Sequence, residues 1–242
     1  MKSKLPKLNK EQREQVLKQW DQQQHDRIEV NIELSGHGEK LENLVVHKGV
    51  WNPAIVSARY HASYLYYNNA RLYEGKDVLD MGTGSGIMSV VMGLGGARSI
   101  IMSDISKPAI VNAQENLEKF GLENKATVVH SDLFENIKGT FDCIVFMQPY
   151  FADTPPEGDT ISASMLADKS LVERFLKNVS KYLKSDGVII MPFYTKAGDV
   201  NNPVIQGPKY GFNVTTTFKA ISNYGLHTGE ITIHELKYKT II

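Results

Sequence analysis

A short apolar run, residues 77–81, passes without interruption into Gly82-Thr83-Gly84-Ser85-Gly86 and then into a second apolar run, residues 87–94. The first run is long enough for a buried strand and the second for a helix. Three alternate glycines between them place backbone amides beside whatever occupies the turn, with no side chain in the way. A dinucleotide fingerprint needs its third glycine three residues after the second, where this chain has Ile87, so nicotinamide cofactors are disfavoured. A triphosphate-binding loop needs Gly-Lys followed by Ser or Thr, which is absent.

The pattern then repeats as strand, loop and helix. Residues 99–103 read as a second strand ending at Asp104, Ser106 as the cap of a helix whose face carries Ile110, Ala113, Leu117 and Phe120, and Gly121 as its stop. Residues 127–130 and 141–147 read as the third and fourth strands, 164–183 as one long amphipathic helix, and 187–194 as the fifth strand. Strands separated by helices predict an α/β fold, a doubly wound and mostly parallel sheet covered on both faces, with ligands at the carboxyl ends of its strands. Residues 214–221 and 230–236 flank Asn223-Tyr224-Gly225 and predict an antiparallel hairpin that closes the sheet.

Ahead of this unit, Asn9 and Gln12 form a capping pair for a helix bearing Val16, Leu17 and Trp20, and residues 28–34 and 41–50 read as a small hairpin around Ser35-Gly36-His37-Gly38. Residues 1–52 are therefore expected to be a helix-and-hairpin extension, and residues 53–242 the catalytic domain. A helical stripe of Ile55, Tyr60, Tyr64 and Leu65 is expected within residues 53–72. The longest irregular stretch, residues 152–162 with Pro155, Pro156 and Gly158, leaves the fourth strand and reads as a lid or as a surface excursion.

The 27 Lys and Arg balance 27 Asp and Glu, which gives no support for a DNA footprint or an anionic membrane surface. The basic excess of residues 1–27, seven Lys or Arg against four Asp or Glu, reads first as a solvated helix face. A single cysteine, Cys143, in an apolar run, no apolar stretch of bilayer length and no signal-peptide segment in residues 1–13 together suggest a cytoplasmic protein. The histidines show no metal-ligand spacing with Cys or acidic partners, so no metal is expected.

The glycine loop, the acid after the second strand and the acid after the third stand where class I S-adenosylmethionine-dependent methyltransferases have them, and over residues 53–242 the chain resembles that family. The resemblance implies a Rossmann-like methyltransferase fold with S-adenosylmethionine as cofactor. Asp80, Gly82, Gly84 and Gly86 would then pack on its aminoacyl part, Asp104 would accept from the two ribose hydroxyls and Asp132 from the adenine amino group, with Thr83, Ile105, Ser131, Leu133 and Met147 as further cofactor-binding residues.

The fourth strand ends in Phe146-Met147-Gln148-Pro149-Tyr150-Phe151, which resembles the Asn-Pro-Pro-Tyr ending of the release-factor glutamine methyltransferases and the small-domain ribosomal RNA methyltransferases. A planar nitrogen is a poor nucleophile until acceptors hold its hydrogens and aim its lone pair, which is what that motif supplies. Met147 stands where the asparagine belongs and Gln148 where the first proline belongs. Gln148, Pro149 and Tyr150 are the candidate catalytic residues: either Gln148 presents its amide carbonyl, with the turn shifted by one residue, or Met147 packs against the cofactor and proximity carries the chemistry. His61 and Tyr60 are further candidates as a base for an oxygen acceptor, and Tyr194 as pocket lining. The expected function is methyl transfer to an acceptor in a protein, an RNA or a small molecule, an amide or amino nitrogen foremost. An oxygen- or carbon-directed small-molecule methyltransferase and a non-catalytic cofactor-binding scaffold are the alternatives.

Overall fold

The computed structural model describes residues 5–55, 57–222 and 228–239, so the turn expected at Asn223-Tyr224-Gly225 lies outside the described residues. In chain order the elements are α1 (Lys10–Gln22), β1 (Ile28–Glu33), β2 (Lys40–Val46), α2 (Ala58–Tyr67), α3 (Asn69–Leu72), β3 (Asp77–Met81), α4 (Ile87–Leu94), β4 (Ser99–Asp104) and α5 (Lys107–Lys119). There follow β5 (Ala126–His130), β6 (Phe141–Phe146), β7 (Phe151–Ala152), α6 (Thr160–Met165), β8 (Leu166–Ala167), α7 (Lys169–Asn178), β9 (Leu183–Tyr194), α8 (Pro203–Gln206), β10 (Phe212–Ser222) and β11 (Gly229–Tyr238).

The central sheet has seven strands in the order β10-β11-β9-β6-β3-β4-β5. Five run parallel, and β11 joins antiparallel to both β9 and β10, so the expected sheet with its closing hairpin is what forms. Both faces of this sheet are buried, and the pleat sends alternate residues to opposite sides. In β6, Cys143 and Val145 join the cluster under α2, α4 and α5, while Ile144 and Phe146 join the cluster under α7. The chain leaves β3 outward through β4 and β5, then returns to β6 on the other side of β3. That reversal opens a crevice at the carboxyl ends of β3 and β6.

Four local expectations are corrected. The helix expected over residues 164–183 is interrupted: Leu166 and Ala167 pair with Phe151 and Ala152 in a two-stranded parallel sheet, and Asp168 then restarts the helix by accepting from the Ser170 amide. Residues 53–72 form two helices, because α2 stops at Asn68, whose side-chain amide donates back to the Tyr64 carbonyl. Ser106 does begin α5, but its hydroxyl caps nothing; its amide donates to Asp104 Oδ1 instead. The expected face of α5 is also incomplete. Asn112 and Asn116 are fully buried on it, because the β1–β2 hairpin packs there and takes their side chains as hydrogen-bond partners.

The amino-terminal helix is joined to the rest by a third apolar cluster at the carboxyl end of the sheet, which contains Val16 together with Phe151, Met165, Phe193, Tyr194 and Ile231.

Candidate active site

The crevice between β3 and β6 holds a cavity of about 430 Å³, within the range of small-molecule sites. Every sequence-predicted site residue lines it except Gly86 and the candidate base Tyr60. Gly86 sits behind the wall as the left-handed residue before α4 (φ 84°), where a Cβ would strike Met102 Cε at 2.8 Å. Its role is close packing of the loop on β4 and α5. Gly82 and Gly84 differ: their φ values are 71° and 56°, and a Cβ on either would enter open space. That space is the cradle the glycines leave for a ligand.

Asp80 is completely buried beneath this loop. Its Oδ2 accepts from the hydroxyls of Thr83 and Ser89, each at 2.7 Å, while Oδ1 has no partner. Burial, with a smaller contribution from the nearby Asp104, lifts its carboxyl to about 6. A buried carboxylate oxygen without a donor is an opening for a cationic or N–H-bearing ligand group. Asp104 accepts from the Gly84 amide at 2.9 Å and the Ser106 amide at 2.8 Å, and burial raises its carboxyl above the ordinary range despite those bonds.

Beyond β5, Ser131 is buried and ties the next turn, accepting from the Asn136 amide and donating to the Leu133 carbonyl. Leu133 is held at φ 46°, an uncommon left-handed conformation for a branched side chain. Asp132 is found in a bidentate pair with Arg174 of α7, at 2.9 and 3.2 Å. A lone carboxylate is thus replaced by one whose orientation is fixed and whose lone pairs are partly engaged. Ile105, 62% exposed, lies at the mouth with Leu133 and Leu171 and gives a flat apolar ring a surface to cover. The loop cradle, the open Oδ1 of Asp80 and this apolar lip fit S-adenosylmethionine.

After β6, Gln148 is buried and its Nε2 donates to the Pro192 carbonyl at 2.7 Å. Because that carbonyl can only accept, the bond fixes which way the amide points, and Oε1 is left buried and without a partner. Met147 is half-buried and packs on the core while lining the cavity. The Tyr150 hydroxyl bonds Ser57, burial pushes it well above its ordinary value, and its ring meets Phe193 edge-on at 5.8 Å. His61 is buried in the same cavity with neither ring nitrogen partnered, and desolvation lowers it to about 3, so it is neutral at any working pH. Tyr60 lies outside the lining and stacks with Arg59 and Phe218.

Other walls had no sequence signal. Gln15 and Gln19 of α1, Trp51, and Thr160 and Met165 of α6 all line the cavity. The segment expected to be a lid or an excursion lies against it and is fastened: Trp20 Nε1 donates to Asp159, Thr160 to the Gly49 carbonyl, and the Lys7 amide to Asp153. Asn116 also escaped notice; its amide donates both to Val45 of β2 and to the Ser85 carbonyl of the glycine loop. A capping pair and a helical stripe can be read from spacing, whereas these long-range contacts cannot.

The family profile described as methyltransferase small domain matches residues 61–201. A protein of Methanocaldococcus jannaschii named for N5-glutamine methyltransfer is 32% identical over 164 residues, 65% of this chain and 76% of that relative. The ribosomal protein L11 methyltransferase of Thermosipho melanesiensis is 33% identical over 120 residues, half of this chain, which spans only 38% of that relative's length. The fold is shared with the 16S rRNA N2 methyltransferase of T. thermophilus solved with AdoMet and guanosine, at a TM-score of 0.59 and 20% identity over 88% of this chain and 50% of that one. No helix among the described residues is long and apolar enough to cross a membrane. With its family profile matching more than half of the sequence, the chain belongs to the methyltransferase small domain family and is an S-adenosylmethionine-dependent methyltransferase.

Proposed function

We propose that this enzyme methylates a planar nitrogen, and that Gln148 does the work for which related motifs use asparagine. The observation that carries this reading is the Gln148 side chain: its NH2 is anchored on Pro192, and its Oε1 is buried, unpartnered and part of the cavity wall. An amide oxygen so placed accepts an N–H of the acceptor and turns the nitrogen lone pair out of its conjugated plane. The name of the M. jannaschii relative, with its glutamine amide nitrogen, supports the same class.

Bound S-adenosylmethionine supplies a methyl group made electrophilic by its sulfonium. Asp80, Gly82, Thr83 and Gly84 hold its aminoacyl end, the open Oδ1 of Asp80 receiving the ammonium. Asp104 with Ile105 would hold the ribose, and Ser131, Asp132 and Leu133 would frame the adenine, with Arg174 fixing the orientation of the Asp132 carboxylate. Met147 packs between the two ends of the site, and Tyr150, braced by Ser57 and Phe193, flanks the acceptor with Pro149. The free and buried Cys143 suits a reducing compartment, and we place the enzyme in the cytoplasm.

Labelled methyl transfer with Gln148→Ala and Gln148→Asn, followed by mass-spectrometric location of the methyl, tests the reading. A methylated nitrogen, a kcat fall of about 100-fold in the alanine variant and partial recovery in the asparagine variant are expected. Unchanged turnover in the alanine variant, or a methyl on oxygen or carbon, would sink it.

A further inference from the structure

The cavity has two ends of different character. Among its lining residues, the exposed ones are Gly82 and Ile105 on the cofactor side and Ala163 and Ser164 of α6. None of the lining residues from α1, from the carboxyl ends of β6 and β9, or from β10 and β11 is exposed: Gln15, Gln19, Gln148, Tyr194, Ser222 and Ile231 are all buried. The lining is thus exposed on the cofactor side and along one flank of α6, whereas the walls that α1, β9, β10 and β11 give the Gln148 end are buried.

Charge divides the ends in the same way. Among the described residues, the carboxylates that line the cavity are Asp80, Asp104 and Asp132, all on the cofactor side, and no Lys, Arg or Glu lines it. The Gln148 end presents carboxamides, a histidine, hydroxyls and apolar walls from Phe151, Met165 and Ile231. A charged acceptor brought there would be desolvated with no counter-charge among the described residues. The roof is also fixed in place. The Gln23 side chain bonds both the amide and the carbonyl of Asn52, Gln12 reaches the Lys196 carbonyl, and Trp20 is latched to Asp159.

We propose that the acceptor is an uncharged small molecule with a largely apolar body, taken whole into the chamber between Gln148 and the α1–α6 roof, rather than a loop of a folded protein or an RNA. Its polar edge meets Gln148, His61 and the two carboxamides of α1, and its body rests on Tyr194, Met165 and Ile231. This rests on the methyl-transfer reading above but makes a separate claim, about the size and charge of the acceptor rather than the atom methylated.

The test uses the full chain with methyl-labelled S-adenosylmethionine, offered in parallel a small-molecule ultrafiltrate of cell lysate and the macromolecular retentate. Label is expected in an uncharged product from the ultrafiltrate, and Gln19→Ala should lower kcat/KM for that product by about tenfold while leaving affinity for S-adenosylhomocysteine unchanged. Label in protein or RNA, or in a charged small molecule, would overturn the inference, as would a Gln19→Ala variant with undiminished kcat/KM. A small-molecule product labelled on oxygen or carbon would uphold the small, uncharged acceptor and sink the nitrogen reading; a protein labelled on a glutamine nitrogen would do the reverse. Label in neither fraction, with S-adenosylhomocysteine still bound, would count against both.

Discussion

The two sides of the cavity are built by different means. The cofactor side is made of strand ends and the turns that follow them, so each contributor is close in sequence to a residue with a recognisable job: Asp80 beside its glycines, Asp104 at the end of β4, Asp132 just beyond β5. The acceptor side is assembled from α1, Trp51, the end of β6, α6, β9 and the closing hairpin, segments separated by as many as two hundred residues of chain. The first is a shape imposed by backbone geometry, and the second a shape imposed by packing. A methyl donor common to many enzymes calls for the first, and a particular acceptor for the second.

The sharpest way to break this contrast is at Gly84. Valine there would be forced into φ near 56° and would fill the cradle. Affinity for S-adenosylmethionine by calorimetry should fall by about 100-fold, and an unaltered affinity would show that the loop does not hold the cofactor. Next in size is Asn116→Ala, which strands buried groups of Val45 and Ser85 and should cost about 2–3 kcal/mol in denaturant unfolding. A loss below a few tenths would mean that the hairpin does not brace the glycine loop.

Protonation separates the sides further. The Asp80 carboxyl, lifted to about 6 by burial, holds its proton more tightly in the folded protein than in the unfolded chain. Its contribution to stability is thus present at low pH and is lost as pH rises through about 6. Binding of the cationic aminoacyl end needs the carboxylate, so affinity for S-adenosylmethionine should fall by about tenfold per pH unit below about 6. His61, lowered to about 3, stays neutral across that range, so the acceptor side should show no matching dependence in the same titration. A flat cofactor affinity across pH 6 would remove Asp80 from the ammonium contact. The smallest expected effect is Trp20→Phe, which deletes the indole hydrogen bond to Asp159 and should lower stability by about 1 kcal/mol. Acceptor KM should move in that variant while cofactor affinity does not.

Legibility in the sequence followed the same division. The sheet and the residues that line the cavity along β3, β4 and β5 could be read because strand periodicity, glycine spacing and strand-end acids are local signals, and Gly86 alone among the residues expected there packs behind the wall. The pairing of Asp132 with Arg174 could not be read, because 42 residues separate them. The break at Asp168 escaped because the apolar spacing of residues 164–183 continues through it, while the pairing of Leu166 and Ala167 with β7 is set by tertiary contact. Gln148 showed the opposite case. Its departure from the Asn-Pro-Pro-Tyr ending was visible in the sequence, but the meaning depended on Pro192, a backbone carbonyl on another strand.

The latch between α1 and the segment before α6 also gives the molecule an optical reporter. The chain has two tryptophans: Trp20 donates its indole N–H to Asp159, and Trp51 lines the cavity. Indole emission responds to hydrogen bonding and to the polarity around the ring, so the entire intrinsic tryptophan fluorescence of this enzyme comes from its roof and its chamber wall. Opening of the roof and filling of the chamber can therefore be followed in real time with no dye attached, and Trp20→Phe leaves Trp51 as the sole emitter, watching the chamber alone.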